Sequence, residues 1–154
     1  MNTGQLLIRL VKDGYTRSML GGVLAADRLP QHVIQRPAMY VVNTINSDDY
    51  DKIGHWVVFY FGSDGCGEFW DSCGQTPLAY GVHFNDFLRV NCTMYTFNVV
   101  AVQPAGTLTC GLYCLLYCYH RARGRSLNSI NEYFNNDTLN DTIVYNFVKA
   151  HMPG

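Results

Sequence analysis

The sequence predicts an α+β fold: a central, mostly antiparallel or mixed sheet packed against a buried helix, with further helices on both sides. Three observations predict it. Helical patterns open and close the chain around a strand-rich middle. His55 to Phe61 is β-branched and aromatic throughout, the pattern of a central strand covered on both faces. Cys110 to Arg123 is a long apolar helical stretch that ends at Gly124.

The elements follow in order. Thr3 can cap a first helix with Leu6, Leu7, Leu10 and Val11 on one face and Gly14 at its end. Residues 18–31 read as a short helix or loop stopped at Pro30. Ala38 to Thr44 is a buried strand, followed by a turn over residues 46–51. After the central strand, Gly62 to Gly67 is a hairpin turn and Glu68 to Ser72 the returning strand. Tyr80 to Val90 has the spacing of an amphipathic helix, with Val82, Phe84, Phe87 and Leu88 inward, and Tyr95 to Val102 alternates as a strand. Ser126 opens a helix containing Leu127, Ile130, Tyr133 and Phe134, and Asp137 caps the last one.

Composition narrows the class. The 154 residues fit one domain, 1–154, with one core. They are 48% apolar and 15% charged, a globular composition. A formal charge of -1 gives no field toward nucleic acid or anionic membrane. No apolar run approaches the roughly 18 residues of a membrane helix, and no secretory signal opens the chain.

Six cysteines without a secretory signal read as mostly free thiols in a reducing compartment. Cys110, Cys114 and Cys118 share one helix face, and small buried hydrophobes explain that stripe better than metal. No His or Cys elsewhere has zinc-ligand spacing, so no metal is expected; Cys66 and Cys73 flank a strand at an unspecific spacing.

The chemistry-bearing residues are a histidine, a carboxylate, an amide and a cysteine, in that order, each where a strand ends or a helix begins. Cys110 opens a helix, where unpaired amides and the dipole favour a thiolate. His55 begins the central strand, beside Gly54, as the base that takes the thiol proton. Asp71, on the neighbouring strand, faces His55 as a cross-strand neighbour and fixes its tautomer. Gln103, at the end of the next strand, joins the Cys110 N–H in an oxyanion hole, and Gly111 admits a close approach to the thiol. Taken singly, each has a plainer reading as a core or turn residue; their order and placement carry the catalytic one. His83, on the apolar side of its helix, and His120, inside the Cys110 helix, are weaker candidates for the base; His32 and His151 read as surface residues.

Gly54-His55-Trp56-Val57-Val58-Phe59-Tyr60-Phe61, Phe69-Trp70-Asp71-Ser72 and Gln103 with Cys110-Gly111-Leu112-Tyr113-Cys114 together resemble the adenain family of viral maturation proteases, in the wider clan that includes the SUMO proteases. Leu20-Gly21, Asp27 to Pro30 and Val42-Asn43-Thr44 extend the similarity over roughly residues 18–135. The resemblance implies a cysteine endopeptidase with His55 as base, Asp71 as orienting carboxylate, Cys110 as nucleophile and Gln103 in the oxyanion hole. It adds Trp56 beside the histidine as a substrate-site residue, with Gly54 and Gly111. The seven-residue step from Gln103 to Cys110 fits adenain; Trp70-Asp71-Ser72 replaces adenain's typical Glu-Pro and leans toward the SUMO proteases.

The family implies cleavage of viral precursor proteins after small residues such as glycine, in the virion and host nucleus if the chain is viral. No cofactor is required for the chemistry itself. An activating viral peptide, disulfide-linked, is implied at Cys92, eleven residues before Gln103. DNA is a further implied partner; its one support here is the cluster Arg121, Arg123 and Arg125, which a helix C-terminus already explains. Two rival readings share the fold: an isopeptidase acting on ubiquitin or SUMO-like modifiers, and a catalytically decayed binding module.

Overall fold

The computed structural model describes residues 1–49, 51–134 and 139–154. A five-stranded mixed sheet runs in the order β1 (Leu20–Leu24), β2 (Ala38–Asn43), β3 (Trp56–Phe61), β4 (Cys66–Trp70), β5 (Met94–Phe97). The central β2–β3 and β3–β4 pairs are antiparallel, while the two edge strands run parallel to their neighbours. The helices are α1 (Thr3–Lys12), α2 (Gly14–Met19), α3 (Val82–Asn91), α4 (Cys110–Ala122), α5 (Leu127–Asn131) and α6 (Asn140–His151). This is the expected α+β class.

Alternation along β3 divides the core in two. Trp56 and Val58 face the layer of α1, α4, α5 and α6, together with Met39, Val41 and Trp70. Val57, Phe59 and Phe61 face α3, packing with Tyr40, Phe69, Phe84 and Phe87. Both faces are therefore dry, which is why β3 reads as an unbroken apolar run. Helix α4 is apolar around most of its circumference, and ten of its residues are buried. Such a helix belongs inside the molecule. Trp70 lies against Tyr117 with ring centroids 5.3 Å apart, locking α4 to the sheet.

Several expectations are corrected. Asn2, not Thr3, caps α1, through a capping box with Gln5, and Asp13 rather than Gly14 follows its last residue. Leu7 and Val11 lie on its exposed side. Residues 18–31 contain a strand, β1, missed because Gly21 and Gly22 are poor strand formers. Gly21 is there for contact: a Cβ at that position would fall 2.4 Å from the Tyr40 ring. Tyr80 closes a 3₁₀ turn, Pro77–Tyr80, and α3 starts only at Val82, which is exposed. The expected strand from Tyr95 to Val102 stops at Phe97, because Asn98 turns inward to bond Asp71. Ser126 caps α5 as expected. Asp137, expected to cap the last helix, lies outside the described residues.

Among the described residues no helix is long and apolar enough to cross a membrane. Cys114 and Cys118 are fully buried thiols whose pKa burial pushes up, which is the core role expected of the stripe. Two of the three clustered arginines are occupied by carboxylates: Arg121 pairs with Glu68 at 3.1 Å and Arg123 with Asp13 at 2.6 Å.

Candidate active site

Three segments converge at one end of the sheet: the entry to β3, the turn after β4 and the first turn of α4. His55 precedes β3 and is pinned to the end of β2: its N–H donates to Thr44 Oγ1 at 3.1 Å, and its carbonyl accepts from Thr44 N at 2.8 Å. Asp71 follows β4 directly. The last ladder pair is Val58 with Trp70, so Asp71 and His55 both lie beyond the paired register. The expected cross-strand pairing is thus replaced by a turn. That turn still brings His55 Nε2 to 2.5 Å from Asp71 Oδ1.

Asp71 has no exposed side-chain surface and is fully satisfied. Oδ1 also accepts from Cys73 N at 2.9 Å, and Oδ2 accepts from Gln75 N at 3.1 Å and Tyr80 OH at 2.5 Å. Its backbone is clamped as well: the N–H donates to Asn98 Oδ1 at 3.0 Å, and the carbonyl accepts from Asn98 Nδ2 at 2.6 Å. Burial opposes charge on Asp71, but bonds from His55 and Tyr80 outweigh it and hold the carboxyl below its ordinary range.

Cys110 opens α4, its sulfur 3.4 Å from the Trp56 N–H, which donates to it. Burial raises the thiol pKa; contact with the His55 imidazole, then the Trp56 and Gly111 amides, reverses this and lowers it. The same opposition acts on His55. Burial disfavours the imidazolium, while Asp71, Cys110 and Cys73 raise its pKa to about 12. The arrangement thus favours a thiolate facing an imidazolium that is anchored by a carboxylate.

Gln103 is 7% exposed and sits in a loop rather than at a strand end. Its Oε1 accepts from Ser72 Oγ at 2.6 Å, and its Nε2 donates to the Thr107 carbonyl at 2.8 Å. Its amide is therefore engaged with Thr107 in this state. The loop is braced through Thr109, whose hydroxyl donates to Asp141 at 2.8 Å, with Tyr113 OH donating to the same carboxylate at 2.8 Å.

A cleft of about 240 Å³ runs past Cys110, walled by Gly54, His55, Trp56 and Leu108. Trp56 Nε1 donates to the Met1 carbonyl at 2.9 Å, and Gly111 lies under Met1. Gly54 is needed for space, since a Cβ there would fall 1.9 Å from Asn43 Oδ1. A larger cavity of about 870 Å³, beside β1 and lined by Gly21, Arg28, Arg36 and Tyr40, contains none of these groups.

The structure thus brings His55, Asp71 and Cys110 together, with Trp56, Gly54 and Gly111 around them. It does not recruit the alternative histidines. His83 is exposed, not on the apolar side of α3. His120 is buried among aromatic rings, and burial, then Arg125 and Arg123, lowers its pKa to about 4. His32 and His151 are exposed as expected. Cys92 is half-buried at the end of α3, its thiol donating to the Leu88 carbonyl at 2.9 Å and its pKa raised by burial.

Tyr80, Asn98 and Cys73 escaped the sequence reading. The only signal for Tyr80 is its place after Pro77, at the close of a tight turn. Its ring stacks on His55 with centroids 5.8 Å apart while its hydroxyl bonds Asp71. Tyr80→Phe keeps the ring and removes one donor to a buried charge. It is expected to cost about 1.5–3 kcal/mol of stability, measured by denaturant unfolding, and to lower kcat/KM.

No family model and no curated protein matches the chain. Solved structures do resemble it. The ASFV pS273R protease superposes with a TM-score of 0.50 at 21% identity, over 77% of this chain and 46% of that one. The present chain thus spans less than half of that protease. The central domain of the uncharacterized Lpg1148 protein from Legionella pneumophila superposes with a TM-score of 0.52 at 13% identity, over 99% of this chain and 95% of that one. At these identities the likeness is one of fold.

Proposed function

We propose that this chain is a cysteine endopeptidase that cleaves precursor polypeptides after small residues, glycine above all, through a thioester acyl-enzyme. The observation that carries the reading is that Cys110 and His55 line one cleft at the start of α4, with His55 Nε2 held 2.5 Å from Asp71 Oδ1. The fold it shares with a viral protease supports it.

In this reading the Cys110 thiolate attacks the scissile carbonyl, and the His55 imidazolium protonates the departing amine. Water then attacks the thioester with neutral His55 as base, and collapse of the intermediate expels the Cys110 thiolate and leaves His55 as imidazolium, the starting pair. The carbonyl oxygen of each tetrahedral intermediate takes a hydrogen bond from the Cys110 N–H. Gln103 Nε2 supplies a second by exchanging Thr107 for substrate. The cleft between Trp56 and Leu108 takes an extended peptide, with Gly54 in its wall. Viral precursor proteins are the proposed substrates. An activating peptide at Cys92 forms no part of the proposal, since that thiol is tied to Leu88 and made less acidic by burial.

Incubation with a peptide library, product termini read by mass spectrometry, tests this reading. Cleavage after glycine that disappears in Cys110→Ala is the expected result. Labelling by ubiquitin- or SUMO-based suicide probes, without peptide turnover, would replace it with the isopeptidase reading.

A further inference from the structure

Cys73 plays no part in the cycle above, yet it sits inside the site. It follows Asp71 in a turn closed by Gly74 N donating to the Asp71 carbonyl at 2.9 Å. Gly74 has φ +72°, and a Cβ there would fall 2.7 Å from the Ala101 backbone nitrogen, so the turn has one tight conformation. That turn lets Asp71 accept the Cys73 N–H and leaves the Cys73 thiol half-buried against the imidazole. One donor atom each from His55, Asp71 and Cys73 lies within 4.8 Å of the others.

We propose that His55, Asp71 and Cys73 form an inhibitory zinc site that switches the enzyme off by taking its base and its orienting carboxylate. The donor set is one imidazole nitrogen, one carboxylate oxygen and one thiolate, each a common zinc ligand, with bonds of about 2.0–2.3 Å. Three such ligands leave a fourth tetrahedral position for solvent. A small inward shift of the imidazole and the thiol brings the donors from their present spacing to one ion. The outer shell already exists: Tyr80 OH and Gln75 N hold Oδ2, and so aim Oδ1 inward.

Binding releases the Cys73 thiol proton and the imidazole proton shared with Asp71, and one Zn²⁺ takes their place. With zinc on Nε2 the ring keeps only its Nδ1 proton, which it holds far more tightly than an imidazolium does, so His55 no longer protonates the departing amine or acts as base. The zinc-ligand spacings sought along the sequence do not reveal this site, because its ligands come from a strand entry and a tight turn.

The inference rests on the proposed proteolytic reading for its consequence, inhibition, but not for the site itself. Two measurements separate them. The first uses Co²⁺ as a spectroscopic probe on the full chain carrying Cys110→Ala, which removes the nucleophile as a ligand. A one-to-one complex with a thiolate-to-cobalt charge-transfer band is expected, and Cys73→Ser added to that variant should abolish the band while leaving the melting temperature in place. The second measures peptide cleavage under Zn²⁺. The wild type should be inhibited and recover with EDTA, while Cys73→Ser, measured against its own zinc-free rate, should need on the order of tenfold more zinc or beyond for the same fractional inhibition. A band that survives loss of Cys73, no one-to-one complex, or equal zinc sensitivity in Cys73→Ser would overturn the site. Cys73-dependent cobalt binding in a chain that cleaves no peptide would instead leave the site standing and remove the protease.

Discussion

Cys110→Ala is expected to reduce peptide cleavage by on the order of 10⁴-fold or more, because Cys110 is the one thiol among the described residues that line the cleft. The fold should be nearly indifferent to the change. Cys110 is 7% exposed and loses a single sulfur, and alanine suits the first turn of a helix. Cys110→Ser sharpens the point. A hydroxyl can keep the contact with the Trp56 N–H but does not ionise near neutral pH, even beside an imidazolium. It should be nearly as inactive, although it is almost isosteric. Steady-state cleavage with thermal melts of all three proteins is the measurement. Residual activity within about tenfold of wild type in either variant would remove Cys110 from the chemistry.

Asp71→Asn is expected to damage both activity and stability. The carboxylate accepts from His55, Cys73 N, Gln75 N and Tyr80 OH in a fully buried position. Asparagine presents one acceptor oxygen and turns an N–H₂ group toward the remaining donors. The loss should be about 3–5 kcal/mol of stability, the cost of stranding one partner of a buried pair. Cleavage should fall on the order of 10³–10⁴-fold as the imidazole loses its tautomer.

The pH dependence of stability should change too. His55 binds its proton more tightly folded than unfolded, so its contribution is complete below about pH 6.5 and fades as pH rises toward about 12. Asp71 is the reverse: its contribution is present above about pH 3.9 and is lost as pH falls through its lowered value. Wild type should therefore gain most from the pair between about pH 4 and 6.5, and Asp71→Asn should flatten that region. Urea unfolding across pH reads this directly.

The fold was legible wherever burial was continuous. β3 and α4 are dry on nearly every side, and their apolar runs announce them. β1 was not legible. Two glycines break its pattern, and Gly21 is bare because the Tyr40 ring lies over it. The end of β5 was equally hidden, since Asn98 leaves the strand for a partner 27 residues away.

The site divides in the same way. His55, Asp71 and Cys110 could be chosen because each borders an element whose type the sequence declares. The turn that joins them could not, because Cys73, Tyr80 and Asn98 act through a tight backbone conformation and bonds to one carboxylate. Gln103 is expected in the oxyanion hole, but its amide bonds Thr107, a pairing no spacing indicates.

The ionisation of Cys110 is the most direct test. The rate of iodoacetamide modification at this residue, followed by mass spectrometry of its peptide across pH, reports the thiolate fraction. The predicted midpoint lies below the free-thiol value of about 8.5, and His55→Ala moves it upward. A midpoint at or above that value, unchanged when His55 is removed, would contradict the account.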